Sequence, residues 1–129
     1  MTKTILKERR KSDRLNIPLV IEHSSFRKKA AIKTFSSDIS GSGMRLSLQH
    51  RMERDEKLKI LIHFPGDKRP VTAFSKVIWC SPKGAGKTKI FDTGIKHFKI
   101  APKDRNRFVF LFCELMINYF MRNSLTQYR

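Results

Sequence analysis

Residues 81–91 read SPKGAGKTKIF, and the reading of this stretch decides between two folds. Gly86-Lys87-Thr88 has the ending of a triphosphate-binding loop, which would set a strand before it and a helix after it. That cradle needs a glycine at position 81, which holds Ser81. Its lysine must also open a helix whose amino end faces the phosphates. Here Lys87-Thr88 runs into KIFDTGIKHFKI, a strand pattern. Gly84-Ala85-Gly86 therefore reads as the turn of a β-hairpin joining the strand of Trp79 to the strand of Phe91.

Outward from this hairpin the same kind of pattern repeats. KLKILIHF, residues 57–64, puts Leu58, Ile60, Ile62 and Phe64 on one side and Lys57 and Lys59 on the other. IPLVIEH, AAIKTFSS, GMRLSL and PVTAFSKVIWC are further short runs, separated by Gly, Pro, Ser and Asp at intervals of about a dozen residues. With the strand after the hairpin, these runs predict a mainly β protein: a six-stranded antiparallel β-barrel, closed because open edges need cover. Residues 1–16 are polar and basic and read as a flexible N-terminal arm, with the barrel and a final helix filling residues 17–123.

After Pro102 the period becomes helical, predicting a C-terminal α-helix over residues 103–122. Arg107, Glu114, Asn118 and Arg122 share a narrow polar stripe, and most of the remaining circumference is apolar. Covering a barrel takes a face only about 100° wide. The excess predicts that part of this helix meets a partner or a second copy, giving a homodimer through the helix. The segment 108–121 is short for a bilayer and contains Glu114 and Asn118, so no membrane insertion is expected.

The 129 residues suffice for one domain with a real core. Lys and Arg number 28 against 11 Asp and Glu, a net charge of +17 that favours polyanionic partners. Cys80 and Cys113 show no metal-ligand spacing and read as buried, reduced thiols; the leading segment has no signal-peptide pattern, and both point to the cytoplasm. His23, His50, His63 and His97 are scattered, and no nucleophile–base pair can be assembled, so neither a catalytic residue nor a metal site is expected.

Two stretches carry chemistry. ERRKSDRL, residues 8–15, spaces Arg10 and Arg14 four apart with Arg9 alongside. The planar guanidinium bonds phosphate oxygens or the guanine O6/N7 edge in a fork and stacks on purines, so the arm could clamp a guanine nucleotide; a solvated basic tail is the plainer alternative. SSDISGSGMRL, residues 36–46, sets Asp38, Ser40 and Gly43 in a turn between strands. A carboxylate there could accept the N1–H and N2–H₂ of guanine and Ser40 could donate to phosphate, while a capped β-turn is the alternative. Trp79 could stack on a base, although VIWC reads first as a core indole.

Together, Arg10-x-x-x-Arg14 on an arm and Asp38-x-Ser40-x-x-Gly43 leading into an apolar strand resemble the PilZ domain family. GMRLSL, KVIWC, and GIKHF followed by DRNRF agree with it, over roughly residues 8–120. The resemblance implies the barrel with its C-terminal helix and reversible binding of the bacterial second messenger cyclic di-GMP. It implies that Arg10 and Arg14 grip guanine and phosphate, Asp38 and Ser40 contact the ligand's other side, and Gly43 permits close backbone approach. Arg9 would favour an intercalated pair of ligands. Arm ordering would then signal to an effector protein or protomer. GIKHF carries one residue more than the family's usual spacing, which predicts a bulge in the last strand. The reading from another class is a basic small barrel that binds nucleic acid, weakened by the concentration of aromatics at Phe108, Phe110, Phe112, Tyr119 and Phe120 of the helix.

Overall fold

The computed structural model describes residues 14–26, 31–84 and 89–127, with the side chains of the final helix described as far as Arg122. The strands are β1 (Val20–Ser25), β2 (Ile32–Ile39), β3 (Gly43–Leu48), β4 (Lys57–His63), β5 (Val71–Lys83) and β6 (Ile90–Ile100). A 3₁₀ turn (Pro102–Asp104) leads into helix α1 (Arg105–Gln127). All strand pairs are antiparallel, in the order β1-β2-β3-β6-β5-β4, and β4 pairs back onto β1 to close the barrel.

Period-two patterning explains the interior. Leu58 and Ile60 of β4 and Val71, Ala73 and Val77 of β5 are fully buried, and Ile62 nearly so, while Lys57 and Lys59 face solvent. Ile21, Leu46 and Ile39 complete the core from the facing strands. β5 runs to Lys83, which pairs with Ile90, and Ser81 pairs with Asp92. Strand therefore stands on either side of residues 85–88, and among the described residues no helix follows the glycine-rich stretch before the 3₁₀ turn at Pro102.

Three register shifts bend the barrel wall. On β6, Phe98 is the extra residue between the pairs Ser75↔His97 and Phe74↔Lys99, which is the bulge that the GIKHF spacing predicts. On β5, Ile78 is extra between Val77↔Ile95 and Trp79↔Gly94. On β2, Ser37 is extra between Ser36↔Leu46 and Asp38↔Arg45.

Helix α1 is anchored at its start. Arg107 bonds Asp104 Oδ1 at 2.7 Å and Asp67 Oδ2 at 3.0 Å, and donates to the carbonyls of Arg69 and Pro70 at 2.6 and 2.9 Å. The other oxygen of Asp104 accepts the Thr72 amide at 3.0 Å. Burial works against charge on Asp104, but the Arg107 guanidinium and the Thr72 amide outweigh it and hold the carboxyl below its ordinary value. Beyond this clamp, Phe108, Phe112 and Met116 lie against the barrel core. Phe110, Ile117 and Met121 are 67%, 60% and 58% exposed on the opposite side. Cys113 shares that outer side and is exposed, contrary to the expectation of a buried thiol, because positions 110, 113 and 117 follow one helical face; Cys80 is half-buried. Among the described residues no helix is long and apolar enough to cross a membrane.

Candidate functional site

The chain ahead of β1 is stitched onto β2. Leu15 exchanges backbone hydrogen bonds with Ile39 at 2.8 and 2.9 Å and is fully buried. The Ser36 hydroxyl accepts the Leu19 amide and donates to the Ile17 carbonyl, both at 2.8 Å. Serine suits this position because a small hydroxyl inside the wall satisfies two backbone groups that the leader cannot pair elsewhere.

This stitching brings Arg14 to Asp38. The bulge at Ser37 sets Ser36 opposite the core residue Leu46 but Asp38 opposite Arg45, and the Asp38 side chain is only 9% exposed. Arg14 Nη1 donates to Asp38 Oδ1 at 3.3 Å, with the Arg14 side chain 59% exposed. Arg45, directly opposite on β3, brings Nε to 3.3 Å from Asp38 Oδ2 and 3.6 Å from Asp92 Oδ1, with no aligned hydrogen bond to either. Arg45 is a residue that the motif reading overlooked; its one signal is a cation in the otherwise apolar run GMRLSL.

The β2–β3 turn follows. The Ser40 amide donates to the Gly43 carbonyl at 2.8 Å, and the Ser40 hydroxyl accepts the Gly43 amide at 3.2 Å, closing the turn from within. The Ser42 carbonyl accepts the His97 amide at 2.8 Å and ties the turn to β6. Any β-carbon on Gly43 would run into the backbone of Ile95 and Lys96, so the close approach that this glycine permits is that of β6.

Across the turn stands Trp79, which is 40% exposed and not the core indole that VIWC suggests. The extra residue Ile78 shifts the alternation of β5 at this point, and the indole settles over Gly94 instead of entering the barrel. Arg14, Ser40, Gly43, Arg45, Trp79 and Lys96 line a common cleft of about 660 Å³. Of the six site residues named from sequence, Arg14, Ser40 and Gly43 border this cleft, and Asp38 lies directly behind Arg14 and Arg45. Arg9 and Arg10 lie outside the described residues. Among the described residues no group of three His, Cys, Asp or Glu side chains converges to hold a metal.

Chemically the cleft presents exposed guanidinium and ammonium groups, an indole and a turn rich in small residues. It suits a ligand that combines anionic and flat aromatic parts.

Comparison with solved structures finds the same fold. The Bacillus subtilis inhibitor of motility MotI/DgrA shares 19% identity with a TM-score of 0.61, over 90% of this chain and 51% of that one. The PilZ domain of Escherichia coli YcgR, solved with c-di-GMP, shares 11% identity with a TM-score of 0.62, over 90% of this chain and 95% of that one. Borreliella burgdorferi PlzA, solved in complex with c-di-GMP, shares 11% identity with a TM-score of 0.56, over 91% and 56% of the two chains. The chain thus spans about half the length of MotI/DgrA and PlzA. No curated protein sequence matches it. The model of the PilZ domain family matches residues 8–112, most of the chain. The sequence motifs, the closed barrel with its C-terminal helix and this match agree that the chain belongs to the PilZ domain family.

Proposed function

We propose that the chain is a receptor for cyclic di-GMP, held in the cleft between the leader and the β2–β3 turn. The observation that carries the reading is the position of Arg14: it lies in the leader against Asp38, half in solvent, on the rim of a cleft whose other rim is Trp79. Membership of the PilZ family and the ligand of the YcgR and PlzA structures support it.

In this reading Arg14 and Arg10 turn their forks to phosphate and guanine. Arg14 exchanges its contact with Asp38 for one with the ligand, and Asp38 is freed to accept guanine N–H groups while Arg45 keeps its charge compensated. Ser40 holds the turn and offers its hydroxyl to phosphate. Arg9 adds a guanidinium that favours two intercalated ligands per protomer. The protein acts by binding and not by catalysis, in the cytoplasm. Binding orders the arm over the barrel, and the changed surface, together with the exposed face of α1, is what an effector or a second protomer reads.

Isothermal titration with cyclic di-GMP tests this. Wild type is expected to bind saturably, with two ligands per protomer, and Arg14→Ala to lose at least about tenfold in affinity while its melting temperature holds, since an Arg–phosphate bond is worth about 1.5–3 kcal/mol. Equal affinity in the folded Arg14→Ala protein would overturn the reading. One ligand per protomer would overturn only the intercalated pair.

A further inference from the structure

On the outer wall of the barrel, running from the edge of the cleft at Lys96 across to β4, lysines face one another across three neighbouring strands. Lys57 of β4 pairs with Lys76 of β5, which pairs with Lys96 of β6. In the next row Lys59 pairs with Phe74, which pairs with Lys99. Like charges directly opposite each other in a sheet destabilise it. None of these five lysines forms an ion pair among the described residues, and no carboxylate occupies a strand position in either row of β4, β5 and β6.

Aromatic rings stand among these cations. The bulge at Phe98 turns its ring outward, 50% exposed, with Lys57 Nζ 6.0 Å from its centroid. Phe26, 56% exposed at the end of β1, meets Phe74 edge-on at 6.4 Å. The exposed aromatics are therefore not confined to α1, which removes the objection that the sequence raised against a nucleic-acid surface.

We infer that this wall of β4, β5 and β6 binds single-stranded nucleic acid, with Lys57, Lys59, Lys76 and Lys99 on the phosphates and Phe98 and Phe74 under the bases. Cations two residues apart on one strand, such as Lys57 and Lys59, are separated by about 6.6 Å, close to the spacing of phosphates along an extended single strand. Rings seated between the cations offer the sequence-tolerant stacking planes of single-strand binders. An acidic peptide would use the lysines and leave the rings idle.

Fluorescence anisotropy with a labelled mixed-sequence DNA of about a dozen nucleotides tests the inference on the whole chain. Binding is expected to weaken with salt, with a slope near −0.7 per phosphate neutralised. Lys57→Ala with Lys76→Ala should lose at least about tenfold, and Phe98→Ala a similar factor, with melting temperatures kept or raised as the opposed charges are removed. Equal binding of an abasic oligonucleotide, wild-type binding by folded Phe98→Ala, or binding of phosphatidylserine vesicles in place of DNA would each overturn it.

Discussion

The indole of Trp79 occupies the space that a β-carbon on Gly94, its direct partner across β5 and β6, would need. The contact fixes the only tryptophan of the chain on the rim of the cleft, half out of water. Gly94→Ala should expel the ring from this seat. Because overpacking by one methyl costs roughly 1–3 kcal/mol, a lower melting temperature is expected, accompanied by a red-shifted emission maximum. In the proposed receptor, cyclic di-GMP should also change Trp79 emission in wild type. Unaltered emission in the Gly94→Ala protein would show that the glycine has no part in seating the ring.

Arg107 is the clasp of α1. Its replacement by Met would leave Asp104, 1% exposed, as a buried carboxylate whose remaining hydrogen-bond partner among the described residues is the Thr72 amide. Stranding such a charge costs about 3–5 kcal/mol. Urea unfolding of Arg107→Met should show that loss. Asp104→Asn combined with Arg107→Met should recover part of it, because the stranded charge is then gone.

Stability should fall in mild acid. Burial lowers His97 to about 4, and burial together with the charge of His50 lowers His23 to about 4. Both rings stay neutral in the fold below the pH at which the unfolded chain takes up protons, about 6.5. Between pH 6.5 and 4 the unfolded state therefore binds more protons, and unfolding becomes easier as pH drops; below about 4 this contribution levels off. Each histidine accounts for on the order of 3 kcal/mol over the window. Denaturation midpoints measured across it should decline, and His97→Gln should flatten the slope. A flat wild-type profile would show that the rings are hydrated.

Cys113 reports on the outer side of α1. In dilute solution it should react with a thiol reagent at nearly the rate of a free cysteine, and Cys80 much more slowly, since it is half-buried against Thr93. If α1 pairs with a second copy, the Cys113 rate should drop as protein concentration rises, and Phe110→Glu should restore it. A rate independent of concentration over the micromolar range would exclude that dimer.

Most strands are legible because they are punctuated and alternating, as in β4, and the barrel wall follows that pattern between its bulges. The Phe98 bulge can be anticipated from one surplus residue in GIKHF. The bulge at Ile78 cannot, since VIWC is apolar throughout and an alternation shift leaves no trace in such a run; the sequence accordingly points Trp79 inward. Arg14, Asp38, Ser40 and Gly43 can be named from their spacing, but the hold of Arg45 on Asp38 depends on strand register, which spacing along the chain does not encode. Cys113 misleads for a related reason: a helix apolar on nearly all sides does not say which side meets the barrel.

The pairing of β1 with β4 leaves no rim where a foreign strand could add itself by main-chain bonds. A partner that docks on the wall itself meets side chains rather than a strand edge. The ring of main-chain bonds does not depend on which side chains the wall presents, and the same architecture is found in chains only 11–19% identical to this one.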